Sequence, residues 1–153
     1  MAKTGKTQFL GTVVEVRKQG DTVWNKFVCN TGAINIDYGT YDVTESDACL
    51  ETGEKEKVFG GLTYEDQTFD YAWTQAATNA GDTTMKEAHA SKGTDVVEFR
   101  LTANNKTGAE ASGTTYIIPI KVNAYKHMGE NGGIMKTEVS IIQTGVPVEA
   151  PAA

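Results

Sequence analysis

The chain has 153 residues, with 14 Lys plus Arg against 20 Asp plus Glu and a formal charge of -6, a balance that argues against a surface built to grip phosphates. A domain of this size buries roughly 70 % of its unfolded surface, so it needs neither disulfide nor metal to hold a core. Cys29 and Cys49 have no Cys-x-x-Cys spacing and no neighbouring His, which argues against a zinc site and reads as two reduced thiols, with a disulfide between them left open.

The first eight residues lack an apolar signal core, and no apolar run approaches the roughly 20 residues of a membrane helix. The expectation is a soluble, cytoplasmic chain with no membrane partner. Sixteen glycines beside three prolines suit strands joined by tight turns. Residues 12–17 carry Val13, Val14 and Val16, residues 19–21 offer a turn, and residues 23–29 return with Trp24, Phe27 and Val28; this predicts an opening hairpin. Ile34, Ile36 and Tyr38 alternate with polar residues, predicting a strand with one buried face that Tyr41 and Val43 extend.

Residues 44–57 are polar and charged with almost no apolar periodicity, and read as a long loop. Loops above about 12 residues are uncommon in compact domains and often functional. A contact arm for a neighbouring subunit and a solvated insertion stand level here. From Val58 the strand pattern resumes. Gly60 and Gly61 mark a bulge or close backbone approach, and Phe69, Tyr71 and Trp73 share one face. Without interleaved Lys or Arg these aromatics read as core rather than as a stacking platform.

Residues 82–92 predict a short helix. Thr84 and Glu87 have capping-box spacing, Gly93 sits at the C-cap position, and Met85, Ala88 and His89 form its apolar stripe. His89 has no nucleophile or carboxylate in a recognisable motif and reads as a surface or interfacial histidine. Val97, Phe99 and Leu101 then alternate into a strand. In the next one, Tyr116, Ile118, Ile120, Val122 and Ala124 line one face and Ile117, Pro119, Lys121, Asn123 and Tyr125 the other. Pro119 cannot donate an N–H, so this strand is expected to be an edge or bulged there, and a partner subunit would cover such an edge. Residues 127–133 form a glycine-rich turn that lacks the helix and Gly-Lys-Ser/Thr ending of a phosphate loop. In the last strand both faces mix polar residues, which suits a face lining a watery cavity or another chain.

No nucleophile elbow, His-x-x-x-His, Walker or dinucleotide motif occurs. Glu65 and Asp66, adjacent on a strand, would point to opposite faces rather than share a pocket. The reading is a non-enzyme that uses no cofactor or metal.

The polar N-terminal segment, opening hairpin, long polar loop, aromatic strand of residues 69–73, single helix ending at Gly93, and the closing run of residues 141–147 with Gln143-Thr-Gly-Val-Pro147 together resemble the major tail tube proteins of long-tailed, siphovirus-type bacteriophages. The resemblance spans nearly the whole chain. It implies a mainly β fold, a β-sandwich or split barrel flanked by one short helix, six copies of which close into a ring with a continuous inner barrel. The expected organisation is an arm at residues 1–10, one domain at 11–146 and a tail at 147–153, with no added immunoglobulin-like domain.

By the same resemblance the protein is expected to be a structural virion protein of the tail, assembled in the host cytoplasm, whose hexameric rings stack into a tube for DNA ejection. Its implied partners are itself, the tape-measure protein, and the tail terminator and distal tail proteins, with DNA passing without specific binding. Inter-ring contacts are expected at Phe9, Leu10, Thr44, Glu45, Asp47, Leu50, Glu54, Lys57, Val146 and Val148. The candidate lumen-facing acids are Glu65, Asp70, Glu98 and Glu138, since a wall poor in fixed positive charge would not brake a polyanion. Two alternatives stand beside this: another ring or tube component of the same fold, such as a tail terminator or type VI secretion tube protein, or a monomeric β-sandwich module that binds carbohydrate or a cell surface.

Overall fold

Alternation of apolar and polar residues gives most strands of this protein one buried and one outward face. The computed structural model describes residues 13–27, 34–48, 50–73, 80–106, 108, 112–129 and 131–151. In chain order these form β1 Val13–Lys18, β2 Asn25–Lys26, β3 Thr40–Glu45, β4 Lys57–Thr63, β5 Gln67–Ala72, α1 Ala80–Ala90, β6 Val97–Thr102, β7 Thr115–Met128, β8 Lys136–Gln143 and β9 Val148–Ala150. Seven strands make one antiparallel sheet in the order β2-β1-β6-β7-β8-β5, with β9 continuing beyond β8 along β7; β3 and β4 form a separate two-stranded hairpin.

The inward residues of β1, β5, β6, β7 and β8 meet in one core that includes Val16, Phe69, Tyr71, Phe99, Leu101, Ile120, Val139 and Ile141. Phe69 on β5 and Phe99 on β6 are three strand spacings apart, roughly 14 Å on a flat sheet. Their ring centroids are 5.3 Å apart, and Phe27 bridges both at 5.0 and 6.2 Å. The sheet is therefore curled into a half-barrel whose two ends are drawn together over an aromatic centre. This is the mainly β architecture with one short helix that the sequence predicts.

Helix α1 lies against β1, β2 and β7 and buries Gly81, Met85 and Ala88. At Gly81 a Cβ would stand 2.9 Å from the Lys26 carbonyl oxygen and from the Phe27 ring, so only glycine allows this approach of helix to hairpin. The helix begins two residues before the predicted start. Thr84 is an interior residue whose hydroxyl donates to the Ala80 carbonyl at 3.0 Å and accepts from the Asn25 amide at 3.1 Å, so it is no cap. His89 lies outside the buried stripe, exposed and stacked at 6.3 Å on Tyr125. The exit agrees with expectation, with Gly93 at φ +83, though Lys92 before it also holds φ +56.

Other expectations are corrected by particular contacts. The opening hairpin forms, but only Asn25 and Lys26 pair with β1. Residues 34–39 are not a strand: Ile34 is buried, yet the backbone is held by glutamine side chains rather than a ladder. Gln67 accepts from the Asn35 N–H at 2.8 Å and donates to its carbonyl at 3.0 Å, and Gln143 donates to the Asp37 carbonyl at 2.7 Å. In β7 the register shifts between Val122 and Ala124, where Asn123 is the extra residue. That bulge reverses the predicted phase, so Tyr125 faces inward with Val139 and Ala124 turns outward with Ser140.

Strand β7 is central rather than an edge, with β6 on one side and β8 and β9 on the other. Pro119 is accommodated because its partner run is broken between β8 and β9; its carbonyl takes the Thr144 N–H at 3.0 Å across that gap, where its own N–H would otherwise point. The bulge expected at Gly60 and Gly61 is present: the pairs Tyr41–Leu62 and Val43–Phe59 leave these two residues opposite Asp42 alone.

Candidate assembly interface

The hairpin of β3 and β4 projects from the sheet as an arm. Every residue of β3 is exposed, and so is every residue of β4 except Leu62. The predicted loop of residues 44–57 is therefore narrower than expected, since Thr44 and Glu45 end β3 and Lys57 opens β4, with Glu45 paired to Lys57. One face of the arm is apolar: Tyr41, Val43 and Phe59 are 57, 51 and 70 % exposed, and the Tyr41 and Phe59 rings stack at 5.8 Å. At the tip Leu50 is fully exposed. A lone two-stranded hairpin is marginal in water, and an apolar face of this kind is characteristic of a contact site.

Among the described residues the curled sheet also ends in unpaired backbone. Strand β5 has β8 on one side and no strand on the other among the described residues, and at the far end β2 covers only Glu15 and Val16 of β1. Such edges carry rows of free N–H and C=O groups that template pairing with another chain.

The outward face of the sheet carries a ladder of ion pairs. Glu15 meets Arg100 at 2.8 Å and Glu98 meets Arg17 at 3.4 Å across β1 and β6. Asp70 meets Lys136 at 3.1 Å and Glu138 meets Lys126 at 3.3 Å across β5, β8 and β7. Trp24 lies over both guanidiniums, with Arg17 4.1 Å and Arg100 4.5 Å from its ring centroid, a cation–π arrangement that orders the arginines. Three of the four predicted lumen acids, Asp70, Glu98 and Glu138, thus share one face, each paired to a base on the next strand. Glu65 stands apart in the turn between β4 and β5, where its N–H donates to Asp37 at 3.1 Å.

At the helix, Asp82 accepts hydrogen bonds from the Tyr71 hydroxyl at 2.5 Å and the Tyr125 hydroxyl at 2.6 Å through one carboxylate oxygen. Burial, then the bond to Asp82, pushes both phenols far above the ordinary tyrosine range. The cluster continues through His127, 5.2 Å from Tyr125 and 5.5 Å from Trp73, whose Nδ1 lies 2.9 Å from the Thr137 hydroxyl. It pins α1 to β5 and β7 at once. Sequence reading missed this cluster, because Tyr125 was assigned the opposite face.

Of the expected contact residues, Thr44, Glu45, Asp47, Leu50, Glu54 and Lys57 are brought together on the exposed arm. Val146 and Val148 are exposed on either side of the buried Pro147, at the start of β9. Phe9, Leu10, Cys29 and Cys49 lie outside the described residues. Among the described residues no group of His, Cys, Asp and Glu could hold a metal ion, and no helix is long and apolar enough to cross a membrane.

The described residues thus form a curled half-barrel sheet with one short helix, two sparsely paired edges and a separate exposed hairpin. No family model and no curated protein matches the sequence. Among solved structures the chain is similar to one from the six-fold symmetrised baseplate of the anti-feeding prophage, with TM-score 0.64 and 6 % identity, covering 99 % of this chain and 97 % of that one. It is similar to a chain of the anti-feeding prophage tube-terminating cap, with TM-score 0.64 and 12 % identity over 99 % and 95 %. It is also similar to a chain of the sheath–tube complex of an extracellular contractile injection system, PVC, with TM-score 0.61 and 13 % identity over 91 % and 88 %. At these identities the likeness is one of fold.

Proposed function

We propose that this protein is a structural subunit that assembles with copies of itself into rings, and that the rings belong to the tube of a phage tail or contractile injection system. The observation that carries the reading is the pair of open sheet edges flanking one curled sheet: edge-to-edge pairing of successive copies would continue the curl into a closed barrel and remove every edge. The projecting arm supplies a second contact beyond the ring plane. Similar folds in a baseplate, a tube cap and a sheath–tube complex support the same role.

Within that reading the ring is hexameric and the stacked rings conduct DNA during ejection, with a tape-measure protein inside and terminator and distal tail proteins at the ends. The subunit performs no catalysis. One of the similar solved structures comes from a contractile injection system, so a long flexible tail is one member of the class proposed rather than its definition. A ring-only role, as cap or terminator, is the second reading, favoured by the match to the tube-terminating cap.

Negative-stain electron microscopy of the purified protein, with light scattering across concentration, separates these. Tubes support the tube subunit and single rings the cap, while a monomer at all concentrations refutes both.

A further inference from the structure

The negative charge of this chain is concentrated on the arm. Residues 40–63 hold six carboxylates, on Asp42, Glu45, Asp47, Glu51, Glu54 and Glu56, against Lys55 and Lys57; six against two leaves -4 of the total -6. None of these eight side chains joins an ion pair within the described residues. At the centre of this acidic tip stands Leu50, fully exposed. The arm thus carries an exposed apolar side chain near its tip in a segment of net negative charge whose carboxylates join no ion pair among the described residues.

Elsewhere in the same chain lies its complement. A groove of about 550 Å³ runs between the C-terminal end of α1 and β7, lined by Ala90, Val122 and Ile142 and rimmed by His89, Lys92 and Lys121. Neither lysine joins an ion pair within the described residues. The pairing of β7 with β6 ends at Ile120, so beside this groove β7 has no strand partner on that side among the described residues. Lys92 also keeps the left-handed conformation, φ +56, in which glycine or asparagine is the usual residue. A strained backbone that presents a long cation is the kind of outlier that marks a contact site.

We propose that the arm tip of one copy seats Leu50 in this groove of the next copy, with the tip carboxylates facing Lys92 and Lys121. The contact rests on the self-assembly reading above and names its partner surface. Among the described residues Leu50 at the tip is fully exposed and the groove carries Lys92 and Lys121 outside any ion pair, so the two surfaces are complementary in charge and polarity. Because the two patches differ, the contact is head-to-tail, which generates rings or open stacks rather than closed pairs.

Charge reversal tests it on the full chain, with assembly read by light scattering and electron microscopy. Lys92→Glu with Lys121→Glu, and separately Glu51→Lys with Glu54→Lys, should each raise the concentration needed for assembly about tenfold or more, since like charges are then juxtaposed. Mixing the two variants should restore assembly, because each supplies the surface the other needs. The neutral pair Lys92→Gln with Lys121→Gln, which introduces no repulsion, should give a smaller loss in the same direction. A mixture that assembles no better than its components, or reversed variants that assemble like the wild type, would overturn the contact. If the wild type itself fails to assemble, the broader reading fails instead.

Discussion

Raising pH should lower the stability of the fold through Tyr71, which helps fasten the helix to the sheet. This phenol has no exposed surface and donates to Asp82 at 2.5 Å, so burial and that bond hold its folded pKa well above the ordinary tyrosine value near 10. The unfolded chain ionises near that value while the folded one stays protonated. The stabilising contribution is therefore whole below pH 10 and is lost progressively as pH climbs beyond it. Integrating one site between pH 9 and pH 11 gives a loss of about 1.4 kcal/mol. Tyr125 shares the carboxylate but is partly exposed, and solvent screening leaves it about half as much.

The assay is a thermal melt at pH 7, 9 and 11 for the wild type and for Tyr71→Phe. At pH 7 the variant should lose about 1.5–2 kcal/mol, the value of a hydrogen bond to a charged acceptor. From pH 9 to 11 its melting temperature should fall less than that of the wild type by about 3–6 °C, the equivalent of 1.4 kcal/mol for a chain of this size. Identical alkaline slopes for the two proteins would refute the Tyr71–Asp82 bond as drawn.

Three further outcomes are expected. Phe69→Ala, which empties the point where β5, β6 and the opening hairpin meet, should cost about 3–5 kcal/mol in urea denaturation, and a loss below 1 kcal/mol would mean the curl is not closed over that ring. Glu15→Gln leaves the Arg100 guanidinium half-buried without its partner and should cost about 2 kcal/mol, of which the added change Arg100→Gln recovers a good part; strict additivity in this double-mutant cycle would deny the 2.8 Å contact its role. Lys92→Gly relieves the left-handed backbone and should stabilise the subunit by about 1 kcal/mol while weakening assembly, and a variant that both destabilises and assembles normally would contradict the account of that residue.

Much of the core was legible in the sequence. Val97, Phe99 and Leu101, Phe69 and Tyr71, and Val139 and Ile141 were each placed on a shared face by period alone, and all are buried. The glycine pair at 60–61 and the glycine exit of the helix were legible for a similar reason, since each is a local backbone requirement. What escaped was set by neighbours remote in sequence. The inward turn of Tyr125 depends on a bulge whose only trace is one extra residue, Asn123. The run at residues 34–39 has the alternation of a strand, but its backbone is met by the side chains of Gln67 and Gln143 rather than by a neighbouring strand. Pro119 suggested an edge because nothing local shows that the partner run breaks opposite it.

The candidate interface divides in the same way. Residues 44–57 stood out as polar and long, but nothing in that text says that β3 and β4 pair only with each other and carry Tyr41, Val43 and Phe59 on an open face. Of the candidate lumen acids, Asp70, Glu98 and Glu138 are each paired to a base on a neighbouring strand, and Glu65 is in no ion pair among the described residues. Glu15 and Arg100 stand 85 positions apart and meet only because β1 lies beside β6.

By itself, then, the sequence determined the β class, the inward residues of most strands, the acidic balance and the lack of any catalytic motif, because all of these follow from period, composition and local backbone chemistry. The tertiary structure alone decided how far the sheet curls, which edges stay open, which charges neutralise one another and where the arm stands. Those depend on strand order and register, and both are settled by contacts between segments that no local pattern brings together.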